Sequence, residues 1–189
     1  IGEVLAARWE HVDFEQRRLS LPETKNGKRH KIWLSDFALQ QLKSLHQNTG
    51  LTPWLFPSTH ARTNQPDFAD HVCVKTVTKQ VGDRQRPSAA PMSGRSKDID
   101  ALVLPGGKWT PHDLRRTAAT TMAELGALPD VVEKCLNHAE AGKVKRIYQR
   151  AQYEGPMRDA WMLLGDRLAL LQDMADGRAK KVIPLQRAR

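Results

Sequence analysis

The sequence has few cysteines and no long hydrophobic run. Its 189 residues include only two cysteines, Cys73 and Cys135, whose spacing fits no metal-binding pattern. Both lie in segments with helical patterning, where a free cysteine is usually a small core residue. No run approaches the roughly 18 apolar residues of a membrane-spanning helix, and no secretion signal opens the chain. We therefore expect a protein of the reducing cytoplasm with no metal site and no membrane partner.

Acidic residues are absent from the end of the sequence. The segment RAKKVIPLQRAR at 178–189 carries five of the cations behind the net charge of +9, and without them the charge would be +4. We interpret 178–189 as a basic C-terminal tail and 1–177 as one domain, because this length suits one well-packed core. The positive charge permits a nucleic-acid partner but does not establish one, since basic tails are also common solvated ends.

The first fifty residues are patterned as helix, hairpin and helix. Apolar residues in GEVLAARWEHV have helical spacing, while RRLSLP and HKIWLS alternate as strands do. Between these strands, Asn26-Gly27 predicts a type I′ turn, which places Lys25 at the tip or the shoulder of a β-hairpin. Ser35 is a suitable N-cap for the amphipathic helix DFALQQLKSLHQ.

Helical patterns dominate the rest of the sequence. DFADHVCVKTVTKQV is patterned as a helix, whereas Gly, Pro, Ser and Arg fill residues 82–108, a connection long enough to be functional or mobile. Thr110, Pro111 and Asp113 suit the start of a helix that ends near Gly126. Further helices are predicted from Pro129 and around residue 148.

A final helix is predicted over residues 155–175. Its apolar stripe consists of Trp161, Leu164, Leu168 and Leu171. This stripe can pack on the core of its own chain, which we favour, or dock onto a neighbouring subunit. The element count predicts a mainly α protein with a small antiparallel β-sheet, an α+β fold.

His112 and Arg115 stand three residues apart near a predicted helix start, so their side chains share a face. An arginine fork fits two phosphate oxygens at once, and an imidazole exchanges protons near neutral pH. At a helix N-terminus the pair is suited to bind an anion. Such pairs are also common on ordinary helix surfaces, so this one does not identify a site by itself.

Lys25, His138 and Tyr148 add three groups with suitable chemistry. A tyrosine hydroxyl can act as a covalent nucleophile, but its usual pKa of about 10 requires a nearby base or positive charge. Histidine and arginine supply these, and a lysine at a hairpin tip can donate a proton. Each residue also has a structural interpretation: a half-buried aromatic for Tyr148, a helix C-cap for His138 and a solvated turn residue for Lys25.

Taken in order, these residues resemble the catalytic domain of the tyrosine recombinases, the phage integrase family. The resemblance rests on His-x-x-Arg, then Leu-x-His, then Tyr, within phrases spread over most of residues 1–150. The phrases are IGEVLAARWEHVDF, LPETKNGKRHKIWLS, TPHDLRRTAAT, VVEKCLNHAE and VKRIYQR. The stretch LNHAEAGKVKRIYQRAQYEGPMRDAW is most similar to integrases of prophages and genomic islands.

The resemblance implies a role for each residue. Tyr148 would attack a DNA phosphodiester and form a 3′-phosphotyrosine. Arg115 would stabilise the pentacoordinate phosphorane, and Lys25 would protonate the departing 5′ oxygen. His112 and His138 would hydrogen-bond the phosphate and assist proton movement.

The resemblance also implies the fold, the partners and the choice between two tyrosines as nucleophile. It predicts the catalytic-core fold of the tyrosine recombinases and chemistry without a cofactor. The expected partners are a double-stranded DNA attachment site and other integrase protomers in a tetrameric synapse, at the nucleoid of a bacterial cell. Tyr153 is the rival nucleophile, but the distance of Tyr148 from His138 fits the family better.

The family's first catalytic arginine belongs to an Arg-x-x-Glu pattern. Glu3 matches the acidic position, which puts the arginine immediately before Ile1. Because the sequence begins with Ile1 rather than Met, we expect a fragment truncated at the N-terminal end of its catalytic domain. Without one phosphate-binding arginine, a polypeptide of residues 1–189 is expected to be weakly active or inactive by itself.

Other cations are candidates for contacts with the DNA backbone, where positive side chains position a protein without reading sequence. These residues are Lys28, Arg29, Lys143, Lys145 and Arg146. Solvated surface charge is the alternative for each of them.

Two other functions remain open from the sequence. The stretch TAATTMAELGALPDVVEKCLNH resembles a helix-turn-helix with Gly126 at the turn, which would make the protein a non-enzymatic DNA-binding regulator. A relaxing enzyme like the type IB topoisomerases would share the tyrosine chemistry, although the integrase-like phrases argue against it.

Overall fold

The computed structural model describes residues 1–58, 70–87, 93–138 and 153–178, in which helices accompany one small sheet. The helices are α1 (Gly2–Leu5), α2 (Asp36–Thr49), α3 (Val74–Asp83), α4 (Pro111–Glu124), α5 (Pro129–Cys135) and α6 (Glu154–Ala175). The strands are β1 (Val12–Asp13), β2 (Arg18–Leu21) and β3 (His30–Trp33). The predicted mixture of many helices and a small antiparallel sheet is confirmed.

The sheet is antiparallel, with the strand order β1-β2-β3. Strands β2 and β3 form the predicted hairpin, in which Leu21 pairs with His30 nearest the connection. Leu19 and Leu21 are buried and Ser20 between them is exposed, as the alternating pattern predicts. Strand β1 was not predicted, because two residues are too short to show an alternating pattern.

The turn between β2 and β3 differs from the predicted type. The main-chain N–H of Gly27 donates to the Thr24 carbonyl at 2.8 Å, so Lys25 and Asn26 are the central residues. Gly27 has a φ of +66°, while Asn26 is not among the described residues with positive φ. The prediction of a type I′ turn centred on Asn26-Gly27 was therefore wrong. The left-handed residue, Gly27, follows the two central residues of the turn instead of being one of them. Lys25 does lie in the turn.

Two clusters of buried side chains form the core. One lies among α4, α5 and α6, with Trp33 of β3 packed against it: Met122, Val131, Val132, Cys135, Leu136, Met157, Ala160 and Leu164. The other lies between the sheet and α2: Ala7, Leu19, Leu21, Leu34 and Leu55. Helix α6 contacts α2, α4, α5 and β3, so it connects the two clusters.

The crossing of α2 and α6 depends on a small residue. Ser35 caps α2 as predicted, since its hydroxyl accepts from the Ala38 main-chain N–H at 3.2 Å. Gly165 of α6 packs directly on this cap, and a Cβ added to Gly165 would lie 2.0 Å from Ser35 Oγ. A glycine is therefore required for this close approach.

The first helix is shorter than predicted. Helix α1 ends at Leu5, and a 3-10 helix at Trp9–His11 follows instead of a continuous helix to residue 12. Main-chain hydrogen bonds explain the break: Trp9 donates to the Pro53 carbonyl at 3.0 Å, and Leu55 donates to the Ala7 carbonyl at 3.1 Å. Pairing with a distant segment replaces the local helical bonds.

The two cysteines occupy different environments. Cys135 is buried in α5, as predicted, whereas Cys73 is exposed. Helix α3 begins at Val74 with Cys73 as its N-cap residue, and the preceding His71 pairs with Pro57 in an isolated bridge. The predictions that Cys73 is a core residue and that residues 70–73 are helical were therefore wrong, because that stretch is extended.

The predicted apolar stripe of α6 is only half buried. Leu164 lies in the core and Trp161 packs against it. Leu168 and Leu171 are 40% and 44% exposed, so their assignment to the buried stripe of this chain was wrong. The last turns of α6 extend beyond the residues that cover its first half.

The long connection after α3 makes specific hydrogen bonds in its described parts. Helix α3 continues to Asp83, so the connection begins slightly later than residue 82. The buried Gln85 amide donates to the Trp109 carbonyl and accepts from the Trp109 main-chain N–H, both at 2.8 Å. Trp109 Nε1 in turn donates to the Leu102 carbonyl at 2.9 Å. The mobility of this connection stays a prediction.

The described part of the chain ends shortly after α6. Arg178, the first residue of the predicted basic tail, pairs with Asp173 at 3.2 Å and so belongs to the end of the helix. Residues 179–189 lie outside the described ranges. None of the helices in the described part of the chain is long and apolar enough to cross a membrane.

Candidate active site

Helix α4 begins with a capping box and carries two candidate site residues in its first turns. The main-chain N–H and the hydroxyl of Thr110 both donate to Asp113 Oδ2 at 2.8 Å. The bond from the Thr110 main chain is the main cause of the lowered pKa of Asp113. This cap fixes where the helix starts, and therefore where His112 and Arg115 stand. His112 is exposed and Arg115 is half-buried.

Arg115 is anchored to the segment that follows α5. Its guanidinium donates a hydrogen bond to the main-chain carbonyl of Leu136. A guanidinium has five N–H donors in a fixed plane, so this bond orients the group and leaves other donors for an anion. Arg115 and His138 therefore lie on the same side of the molecule, as a shared site requires.

His138 follows two residues after Leu136 and pairs with a carboxylate. Its Nδ1 lies 2.6 Å from Glu133 Oε2, and its main-chain N–H donates to the Glu133 carbonyl at 3.0 Å. An ionised carboxylate only accepts, so Nδ1 carries the hydrogen and Nε2 of the neutral ring is an acceptor. The main-chain bond is that of a helix end, so the C-cap interpretation and a proton-transfer role both fit this residue.

Glu3 holds the main chain of Lys25 in place. Glu3 Oε1 accepts a hydrogen bond from the Lys25 main-chain N–H at 2.8 Å. The side chain of Lys25 is exposed at the turn, and Lys28 and Arg29 are exposed farther along the same connection. Glu3 therefore contributes to the site by fixing the turn that carries Lys25.

His30 is a buried residue of the site that the sequence analysis missed. Its Nε2 lies 3.1 Å from the Cys135 carbonyl, which ties β3 to the end of α5. Burial is the main cause of its lowered pKa; the nearby Glu3 acts in the opposite direction, and Arg115 lowers the pKa further. The charges of Glu3 and Arg115, two predicted site residues, therefore both act on His30. A histidine that opens a strand gave no sequence signal for this position.

Asn137 joins the turn of Lys25 to the segment of His138. Its Nδ2 donates to Thr24 Oγ1 at 2.9 Å, and its carbonyl accepts from Asn26 Nδ2 at 2.6 Å. Asn137, Thr24 and Asn26 were not among the predicted site residues. The available signal was an asparagine directly after a helix, where asparagine often adopts a left-handed conformation.

The structure brings together most of the predicted residues that it describes. Glu3, the Lys25 turn, Arg115 and the 136–138 segment form one hydrogen-bonded network. His112 is one helical turn from Arg115 and exposed. The remaining predicted residues lie outside the described ranges: Tyr148, Lys143, Lys145 and Arg146. No group of three or more His, Cys, Asp and Glu side chains in the described ranges could hold a metal ion.

Tyr153, the rival nucleophile, has a structural position. It is half-buried against the core cluster of α4, α5 and α6 and precedes α6 with a φ of +53°. The ammonium of Lys134 lies 5.7 Å from the centroid of its ring. Packing and a cation–π contact therefore account for this tyrosine without a catalytic role.

The comparison with known protein families agrees with this geometry. The family model described as "Phage integrase family" matches residues 1–155. The chain belongs to the phage integrase family. This membership covers the strands, α4, α5 and every candidate catalytic residue named above.

Two curated relatives of this phage integrase domain are integrases by name. It is 29% identical over 165 residues to "Prophage integrase IntA" of Escherichia coli (strain K12), covering 85% of this chain and 34% of that protein. It is 26% identical over 171 residues to "Integrase" of Shigella phage Sf6, covering 88% of this chain and 37% of that protein. The chain therefore spans about a third of the length of these relatives.

The alternatives fit this phage integrase domain less well. Helices α4 and α5 follow each other around Gly126, as a helix-turn-helix would. However, α5 has only seven residues and buries Val131, Val132 and Cys135. With three of its seven residues buried, α5 leaves few side chains to contact a DNA groove, which disfavours the regulator. The family match likewise favours an integrase over a topoisomerase.

Proposed function

We propose that this phage integrase domain is the catalytic part of a site-specific DNA recombinase. It cuts and rejoins a double-stranded attachment site through a 3′-phosphotyrosine intermediate, during integration or excision of a mobile element. Other integrase protomers act with it in a tetrameric synapse. One observation carries the proposal: the 136–138 segment is hydrogen-bonded both to Arg115 and to the turn that holds Lys25.

The proposed reaction divides the work among five side chains. The Tyr148 oxygen attacks phosphorus, and the bond between phosphorus and the 5′ oxygen breaks. Arg115 stabilises the charge that develops on the non-bridging oxygens. The tyrosine proton passes to His112 or His138, and the 5′ oxygen takes a proton from Lys25. Attack by a 5′-hydroxyl of a partner duplex reverses these steps and completes strand exchange.

The arrangement around His138 supports its part in proton transfer. Glu133 holds the Nδ1 side of the ring, so Nε2 can accept a hydrogen bond or a proton. The same carboxylate stabilises the imidazolium that forms after proton uptake. His112 is exposed in the first turn of α4, and we propose that its ring contacts the phosphate directly.

The positive residues around the site are proposed to hold the DNA backbone. Lys28 and Arg29 are exposed on the connection that carries Lys25. In the sequence, Lys143, Lys145 and Arg146 lie shortly before Tyr148. The role proposed for all five is sequence-independent attraction, which weakens as salt concentration rises. Recombination should therefore show a steep salt dependence.

Glu3 has a supporting role in the proposal. In the family pattern it accompanies an arginine that would stand one position before Ile1. The reaction is therefore best tested with the whole natural protein, which also supplies any segments outside residues 1–189.

The experiment compares two tyrosine variants of the whole natural protein. Nicked suicide duplexes, tiled across the junctions of the element that carries the gene, trap a covalent protein–DNA adduct. We expect an adduct with wild type and Tyr153→Phe but none with Tyr148→Phe. Tight DNA binding by all three proteins without any adduct would support the non-enzymatic regulator. An adduct that persists in Tyr148→Phe would contradict the choice of nucleophile.

A further inference from the structure

Asn137 holds an unusual backbone conformation next to His138. Its φ of +53° lies in the left-handed region, where most residues other than glycine are disfavoured. Asparagine tolerates this region better than most residues. Glycine would fit the same backbone without steric cost. The asparagine side chain therefore needs a further explanation, which its contacts supply.

The side chain and the main chain of Asn137 each form a hydrogen bond with the hairpin turn. Its side-chain Nδ2 donates to Thr24 Oγ1, and its main-chain oxygen accepts from Asn26 Nδ2, across 113 and 111 residues of sequence. Thr24 is 6% exposed, and its hydroxyl also donates to the Lys28 carbonyl at 2.8 Å. The hydroxyl thus accepts one hydrogen bond from Asn137 and donates its single proton to Lys28, which fixes its orientation.

Lys25 stands between the two residues that Asn137 holds. Thr24 and Asn26 flank it, and the Glu3 carboxylate fixes its main-chain N–H. The Lys25 turn therefore cannot shift relative to residues 136–138 without breaking at least one of these bonds. The neighbours of Asn137 are the anchor of Arg115 on one side and His138 on the other.

We propose that Asn137, together with Thr24 and Asn26, forms a polar latch that positions Lys25 relative to His138 for DNA cleavage. Asn137 is a positioning residue, since it acts through the Lys25 turn. This inference rests on the proposed function. Proton transfer is sensitive to distance, and a displacement of about 1 Å at a reacting group can cost about 100-fold in rate. Loss of the latch should therefore slow protonation of the 5′ oxygen and leave DNA binding unchanged.

The test uses variants of the whole natural protein that open the latch with little change of shape. Asn137→Gly keeps the left-handed backbone and removes the side-chain bond to Thr24. Thr24→Val removes the hydroxyl from a side chain of the same shape, whereas Thr24→Ser retains it. Asn48→Ala is the control, because it removes an asparagine side-chain hydrogen bond, from Asn48 Nδ2 to the Ser44 carbonyl, on α2 and away from the site. If Thr24→Val fails to fold, Asn137→Gly alone decides the result.

The readout is single-turnover cleavage of two DNA substrates. One has the natural 5′ oxygen at the cleaved bond, and the other has sulfur in its place. A thiol has a pKa of about 8.5, so a sulfur leaving group departs as thiolate and needs no proton donor. A defect in proton donation therefore disappears with the sulfur substrate, whereas general damage to the site persists.

We expect Asn137→Gly and Thr24→Val to cleave the oxygen substrate about 10- to 100-fold more slowly than wild type. Thr24→Ser and Asn48→Ala should stay within about two-fold. The sulfur substrate should restore both slow variants, as it restores Lys25→Ala, but it should not restore Arg115→Ala. The dissociation constant for DNA should be unchanged.

Two results would overturn the latch while leaving the proposed function standing. One is cleavage of the oxygen substrate by Asn137→Gly at the wild-type rate. The other is an equal defect of Asn137→Gly on both substrates while Lys25→Ala is restored by sulfur. A wild-type protein that forms no adduct with either substrate would instead overturn the proposed function, and the latch with it.

Discussion

The guanidinium of Arg115 donates a hydrogen bond to the main-chain carbonyl of Leu136, two residues before His138. This bond connects the first turns of α4 with the end of α5. It orients the arginine from the protein side and leaves part of its donor plane for a ligand. The relative position of Arg115 and His138 therefore depends on main-chain atoms rather than on a flexible side-chain pair.

Arg115→Lys is expected to reduce covalent adduct formation by about 100- to 1,000-fold. A lysine ammonium is a single point of charge and cannot serve the Leu136 carbonyl and two phosphate oxygens in one plane. Single-turnover adduct formation by the whole natural protein measures the effect. Arg116→Lys is the control, because Arg116 is exposed and pairs with Asp113 at 2.9 Å. Equal rates for the two variants would contradict the role of Arg115.

Acidification is expected to destabilise the fold through His30. Burial lowers the pKa of His30 below its usual 6.5, so the unfolded chain takes up a proton before the folded one. The stability contributed by neutral, buried His30 is fully present above the pKa of the unfolded state. It is lost as the pH falls from that pKa to the lower pKa of the folded state. Urea unfolding between about pH 8 and about pH 5 should therefore show a falling free energy of unfolding.

The variant His30→Gln separates this residue from other acid effects. Glutamine can still donate to the Cys135 carbonyl but does not titrate. The pH dependence of the free energy of unfolding should be shallower than in wild type. His46→Gln, at an exposed position of α2, is the control. An unchanged slope in His30→Gln would show that another group causes the acid sensitivity.

Gly165→Ala is expected to destabilise the fold by about 1–3 kcal/mol, because the new Cβ overlaps Ser35 and forces α2 and α6 apart. Alanine normally favours a helix over glycine by up to about 1 kcal/mol, so the clash reverses the usual sign. Gly155→Ala in the same helix meets no atom within 4 Å and serves as the control. Thermal or urea unfolding measures both. A neutral Gly165→Ala would mean that the two helices can separate without cost.

The two cysteines are expected to react with thiol reagents at very different rates. Cys73 is exposed, and a hydrogen bond with the Thr76 hydroxyl lowers its pKa. Burial raises the pKa of Cys135 to about 12, so its thiol stays protonated and shielded. Iodoacetamide should modify Cys73 in the native protein and Cys135 only after denaturation, as measured by peptide mass spectrometry. Rapid native modification of Cys135 would contradict the position of α5.

Local rules predicted the parts of the fold that depend on neighbouring residues. The cap of α4 at Thr110 and Asp113 and the cap of α2 at Ser35 follow from side-chain bonds over three residues. The β2–β3 hairpin follows from the alternation of its strands. These interactions lie within short stretches, so the sequence pattern carries them directly.

Distant contacts account for the predictions that were wrong. Helix α1 stops early because Trp9 bonds to Pro53, and no residue near Leu5 signals this. Leu168 and Leu171 have helical spacing, but only the position of neighbouring elements decides where burial along α6 ends. Periodicity gives the face of a helix and not the length over which that face is covered.

The candidate site could be predicted from residue types but not in its supporting contacts. Lys25, His112, Arg115 and His138 were singled out by their order, through the resemblance to the tyrosine recombinases, since each residue alone also has a structural interpretation. His30, Thr24, Asn26 and Asn137 are common polar residues whose value comes from partners more than a hundred residues away. Such pairings arise only from the tertiary fold.

The bonds from residues 136–138 to residues 24 and 26 also order events during synthesis. Ribosomal production delivers Lys25 long before Arg115, and His138 later still. A nascent chain that ends before His138 lacks the hydrogen bonds that bring these polar groups together. In the proposed function, an incomplete polypeptide therefore lacks the assembled groups that cleave DNA.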